Sequence, residues 1–444
     1  MPDSPLCSPF APVLPASPAQ AGRWGRLYGS SLGLVISQAA QNHDGPVVVV
    51  TPDTAFAQRL DSSLNFYLDE TSLPVLHFSD WETLPWDTFS PHQDIISDRL
   101  TTLYQLPTLQ KGLVITPVAP LMTRICPRQY VESTTLLLDV GDRVDLEALR
   151  SRLERNGYQC VANVYEHGEF AVRGSILDLF PMGSRHPFRI ELFDDEVESI
   201  RRFDPETQRS SDNVAAIRIL PAREFGLDKD SITRFRQQYR ARFEGDPASS
   251  TIYRDVSNGL APPGIEYYHP LFFEETATLF DYLPDNALLI LLQQVEGAAE
   301  TFWQEVTTRH EQLRHDIERP LLAPGDIFLQ ANEVFAAFRQ FRRVQVQNFE
   351  LEGAAACNFA TGNPPSLLFD ARAEMPARAL LDFIAAFEGR ILFTAETAGR
   401  REHLLEILAR EHLHPHTVTG WQEFLQEDAR LAITVAPLEH GLSL

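Results

Sequence analysis

Cysteine is scarce in this 444-residue sequence: Cys7, Cys126, Cys160 and Cys357 are the four, far apart and without a CxxC pair. That spacing argues against a zinc ribbon and offers no disulfide framework, so a reducing compartment is the simplest setting. No apolar run approaches the roughly 20 residues needed to span a bilayer. The opening MPDSPLCSPFAPVLPASPAQAG lacks the basic region and continuous apolar core of a signal peptide. A cytoplasmic protein with no membrane partner is expected. Positive charge is also short, with 38 Lys and Arg against 61 Asp and Glu, a formal net charge of -23. Non-specific duplex binding depends on neutralising phosphates with Lys and Arg, so this balance argues against it, while leaving room for a local basic patch. The sequence shows no internal repeat.

What is present is ordinary for a soluble globular chain: 44% hydrophobic and 22% charged residues. The length allows about two to four domains. Residues 1–22, rich in Pro, Ser and Ala, read as a flexible tail. Then helix and strand patterns alternate. Leu32 to Asn42 reads as a helix, Val47 to Thr51 as a buried parallel strand, and Asp53 to Leu68 as a helix. Short strands at Val75 to Phe78 and Leu113 to Thr116 flank a helix begun by Ser90-Pro91. Such alternation indicates a parallel sheet with helices on its faces.

The pattern changes near residue 131. A strand at Leu136 to Val140 precedes a helix from Asp145 to Asn156, capped by Asp145 and ended by Gly157. Extended stretches follow at Phe170 to Phe180, Phe188 to Phe193, Ser199 to Phe203 and Ala216 to Leu220. Turn-forming residues separate them, so residues 132–220 read as a mostly antiparallel α+β domain inserted into the first. The first domain resumes over 221–350, with helices at Asp230 to Phe243, Val295 to Ile317 and Glu333 to Phe341 and a strand at Ala287 to Leu292. Residues 351–365 are small and polar and read as a linker. Residues 366–444 read as a small separate α/β domain, with strands at Arg390 to Thr394 and Leu431 to Val435. A stop so soon after a core strand suggests that the natural protein continues.

This architecture would place a phosphate-binding motif at the turn before the first helix. A phosphate-binding loop needs GxxxxGK[ST], so that backbone amides and a lysine meet the phosphates and a hydroxyl holds magnesium. The candidate region is Gly29-Ser30-Ser31-Leu32-Gly33-Leu34, and no lysine precedes Lys111. A turn that starts a helix is the plainer reading. Asp194-Asp195-Glu196 contains three acids, but it lies between extended segments and reads as a hairpin turn. Tyr165-Glu166-His167-Gly168-Glu169 brackets an imidazole with carboxylates, yet lacks HExxH spacing and reads as a polar loop entering a strand. No GxSxG elbow occurs. Trp81 and Trp86 read as loop packing, with acidic neighbours that argue against base stacking.

One surface pattern points to binding. Strand alternation over Phe188–Phe193 places Phe188, Ile190 and Leu192 on a core face, with Arg189, Glu191 and Phe193 opposite. Arg173 lies in the preceding extended segment. An exposed aromatic beside arginines has the composition of an interface hot spot, although a partly covered Phe with solvated neighbours is the commoner arrangement.

Several strings resemble the transcription-repair coupling factor family (Mfd). They are Asp80-Trp81-Glu82-Thr83-Leu84-Pro85, Phe89-Ser90-Pro91-His92-Gln93-Asp94-Ile95-Ile96-Ser97, Tyr104-Gln105-Leu106-Pro107, Glu166-His167-Gly168-Glu169, Leu177 to Ser184, Gly264-Ile265-Glu266-Tyr267, Pro270 to Phe273 and Glu439-His440-Gly441. The resemblance runs from about residue 23 to 444. It implies a UvrB-like module: a degenerate RecA-like domain (23–131 and 221–350) that has lost its nucleotide motifs, with a UvrA-binding domain (132–220) inserted in it. It also implies that Arg173, Arg189 and Phe193 contact UvrA, through bidentate guanidinium bonding to a partner carboxylate and apolar burial of the ring. In such proteins the RNA-polymerase-binding domain and the ATP- and magnesium-dependent DNA motor lie further along, and the first domains fold back on a C-terminal domain. The expectation is a non-catalytic N-terminal fragment, without cofactor or metal, that binds UvrA and helps restrain the motor. The alternative is an ATP-dependent helicase or translocase in its own right.

Overall fold

The run Val47 to Val50 is buried on both sides, as β-branched residues are in the middle of a parallel sheet. A computed structural model describes residues 6–68, 73–353, 356–365, 367 and 377–444. The first five residues of the expected tail, two of the linker (354–355) and residues 366 and 368–376 lie outside it. Seven strands form the main sheet, in the order Ala356–Asn358, Gly22–Gly25, Arg342–Val346, Leu288–Leu291, Pro46–Thr51, Gly112–Pro117 and Val75–His77. Every adjacent pair is parallel. The helices Ser31–Asn42, Thr54–Tyr67, Gln93–Gln105 and Val295–Leu313 connect these strands.

Residues 6–22 do not form a free tail. Cys7 bridges to Phe359, the Val13 carbonyl accepts from the indole N–H of buried Trp24 at 3.2 Å, and the Pro18 carbonyl accepts from Arg343. Cys7 is joined by a disulfide to Cys357, with the two Cα atoms 5.8 Å apart, so widely spaced cysteines do pair here. The linker reading of 351–365 is likewise overturned in part: Ala356–Asn358 is the edge strand of the main sheet. Small residues there suit an edge with little side-chain packing to offer. Two further strands, Gly22–Gly25 and Arg342–Val346, also escape the sequence reading, because neither presents an apolar run.

The insertion leaves and rejoins the main domain through one antiparallel ladder, Leu136–Asp139 against Ala216–Ile219. Beyond that stalk lies a six-stranded sheet, in the order Ser210–Val214, Glu196–Phe203, Phe188–Phe193, Ile176–Leu179, Glu169–Arg173 and Gln159–Cys160. It is antiparallel except at its last pair. The stretch read as one extended segment from Phe170 to Phe180 is a hairpin, turned at Gly174 with φ +63. The helix Leu146–Arg155 buries Leu153 in the same apolar cluster as Phe170, Leu177, Leu179 and Ile190 of the sheet, with Asp145 accepting from the Ala148 N–H as its cap. The last unit is a three-stranded parallel sheet, Ile391–Ala395, Leu431–Val435 and His416–Thr417. Among the described residues no helix is long and apolar enough to cross a membrane.

Candidate functional site

Alternation along Phe188–Phe193 holds in space: residues 188, 190 and 192 are buried, 189 and 191 are half-buried, and Phe193 is 75% exposed. Asp178 stands directly opposite Arg189 in the ladder, and Ala171 stands opposite Asp178. Arg173, two residues beyond Ala171, therefore shares their face. That face carries both arginines and, two strand repeats further along from Arg189 and past Glu191, the Phe193 ring. Phe193 ends its strand at a hairpin whose next residue, Asp194, has φ +58. The turn holds the ring out at the rim of the sheet.

The residue that organises this face is Asp178, which sequence reasoning did not single out. It is 1% exposed and accepts from both arginines. Arg189 donates through Nε to Oδ1 at 2.7 Å and through Nη2 to Oδ2 at 3.0 Å. Arg173 donates through Nη2 to Oδ2 at 3.2 Å and to Asn163 Oδ1 at 3.3 Å. Its hydrogen bonds to Asp178 push the Arg189 pKa further up. The guanidinium of Arg189 also lies 5.2 Å from the Phe203 ring centroid, and its Nη1 reaches Ser210 Oγ. Beneath lies a small apolar cluster of Val164, Ala171, Phe180 and Phe203. The signal for Asp178 was available: a lone acid inside Leu177-Asp178-Leu179 must either face water or find a cation.

This geometry divides the three expected contact residues. Arg189 has its bidentate edge committed to Asp178 and is 18% exposed at the side chain, so it serves as a strut more than as a free fork. Arg173 is 48% exposed at the side chain and keeps donors for a partner. Phe193 offers an apolar surface with nothing over it. Chemically, the face presents one apolar knob beside charge fixed in place.

The other motifs fall into structural roles. His167 bonds Asp94 Oδ1 at 2.6 Å and the Ser184 carbonyl at 2.7 Å, stitching the insertion to the main domain. Asp194-Asp195 forms the hairpin turn. Trp81 and Trp86 are buried, the first edge-on to Tyr267 and the second against His310 and Phe328. Arg99 lies over Trp81 and forms a buried pair with Glu224. The Gly29–Gly33 segment is a turn into the helix Ser31–Asn42.

Comparison with known proteins places this face inside a recognised domain. Residues 136–225 match the UvrB interaction domain, and residues 383–444 match the D3 domain of MFD. The chain is 42% identical over 431 residues to the transcription-repair-coupling factor of Escherichia coli (strain K12), covering 97% of this chain and 37% of that protein. It is 40% identical over 436 residues to the factor of Haemophilus influenzae, again covering 97% and 37%. Against that of Myxococcus xanthus it is 32% identical over 379 residues, covering 80% and 30%. The chain thus spans little more than a third of the length of these relatives. With both domain types and a match along nearly its whole length, the chain belongs to the transcription-repair-coupling factor family.

Proposed function

We propose that this chain is a non-catalytic binding module that docks UvrA on the outer face of its inserted sheet, bringing nucleotide excision repair to stalled RNA polymerase. The observation that carries the reading is Phe193, 75% exposed at the rim of a face that holds two arginines in fixed positions. Interface hot spots are built in this way, from an aromatic anchor flanked by preorganised charge. Contacts with RNA polymerase, translocation on DNA and ATP hydrolysis belong, on this reading, to parts of the family's proteins beyond the matched third. Restraint of the motor by these domains is part of the same proposal, and so is a cytoplasmic setting.

A translocase active in its own right needs a cation at the phosphate loop, and no lysine precedes Lys111. Purified chain is expected to hydrolyse ATP no faster than buffer. Co-purification tests the docking directly: UvrA should be retained by the wild-type chain and lost with Phe193→Ala. Equal retention by both would remove Phe193 from the site, and no retention by either would remove the function.

A further inference from the structure

The helix Ser31–Asn42 starts without the usual local caps. Ser30 at its N-cap makes no side-chain capping bond, and the first turn holds no acidic residue. The first N–H groups of a helix have no intrahelical acceptors and carry partial positive charge. Here an acceptor arrives from the far end of the chain: the Ser30 N–H donates to the Gly441 carbonyl at 3.1 Å. Gly29, with φ +55, makes room for it, because a Cβ there would run into that carbonyl oxygen. On the next helix, Arg59 pairs with Glu439 at 3.7 Å.

Behind this contact lies a separate apolar cluster. Leu34 and Tyr67 of the main domain pack with Val418, Trp421, Phe424 and Ala432 of the last unit, and Leu442 lies against them. Tyr67 meets Trp421 edge-on, with centroids 5.2 Å apart, and its hydroxyl bonds Ser30 Oγ at 2.9 Å. Loop and cluster are thus one connected contact. Strand–loop–helix units of this kind ordinarily offer these N–H groups to phosphate oxygens. The space left beside the loop, a cavity of about 660 Å³, is walled partly by His440 and Gly441.

We propose that the Gly29–Ser31 loop has become a socket for the segment Leu438–Leu442, so that the C-terminal unit sits as a plug in a former nucleotide cleft. The plug supplies the acceptor that a phosphate would otherwise supply. It also ties the C-terminal unit to the main domain, so the two move together.

Hydrogen exchange on the intact chain tests this, with Gly29→Ala and Trp421→Ala as variants. The first disturbs the socket, and the second disturbs the cluster while leaving the loop sequence intact. In the wild type, peptides covering Ser30 and residues 438–442 should be protected together. Each variant should speed exchange in both peptides by about tenfold or more, as local opening does when its contacts go. The strand Pro46–Thr51 should stay protected throughout, and millimolar MgATP should leave the wild-type pattern unchanged. The proposal fails if Trp421→Ala frees residues 438–442 while the Ser30 peptide stays protected. It also fails if MgATP alters exchange at Ser30, or if both variants exchange like the wild type.

Discussion

Asp178 holds two arginines with one carboxylate, and the three residues do different work. Phe193 is exposed and packs against little, so Phe193→Ala should leave unfolding unchanged while weakening UvrA binding by about tenfold, as for a hot-spot aromatic. Asp178→Ala should act on both. It leaves Arg189, which is 18% exposed at its side chain, without an anion. Loss of a hydrogen-bonded charged partner costs on the order of 2 kcal/mol. Hydrogen exchange in the strands Ile176–Leu179 and Phe188–Phe193 should rise in Asp178→Ala and not in Phe193→Ala. A second residue-scale effect concerns His269, which is buried, with burial pushing its pKa down to about 4. Glu224 draws its pKa the other way, and Arg99 adds to the depression. The fold accepts the neutral ring, so His269's contribution is complete above pH ~6.5 and is lost as pH falls through about 4. Denaturant midpoints measured between pH 7 and pH 4 should therefore fall less steeply in His269→Phe than in the wild type.

At the scale of elements, the helix Gln93–Gln105 is tied to the segment after the insertion by Arg99. Its guanidinium donates to Glu224 Oε2 at 3.2 Å and to the Ser79 carbonyl at 2.8 Å. Both ends of the pair are buried, so Arg99→Met strands a carboxylate and should destabilise the main domain by about 3–5 kcal/mol, read in the denaturant midpoint. Most elements of this kind were legible in the sequence, because apolar periodicity carries them: the strands at 47–51 and 113–116 and the face Phe188–Phe193 all follow it. What was not legible has a common cause. Gly22–Gly25, Arg342–Val346 and Ala356–Asn358 owe their strand state to ladder partners distant in sequence, not to their own side chains. The same holds for the site. Alternation puts Arg189 and Phe193 on one face, but only the folded ladder shows that Asp178 takes the Arg189 fork.

For the whole molecule, a stalk of two adjacent strands carries the inserted sheet, while the Gly29–Ser31 loop of the main domain bonds the C-terminal unit. The proposed partner surface and the proposed plugged cleft therefore lie on separate parts of the fold, and a change in one should leave the other intact. The most direct measurement is a calorimetric titration of UvrA into the wild-type chain, Arg173→Ala and Phe193→Ala, with hydrogen exchange confirming that each is folded. Saturable binding by the wild type, weakened about tenfold in each variant, is the predicted result. Wild-type affinity in both folded variants, or no binding by the wild type, would contradict it.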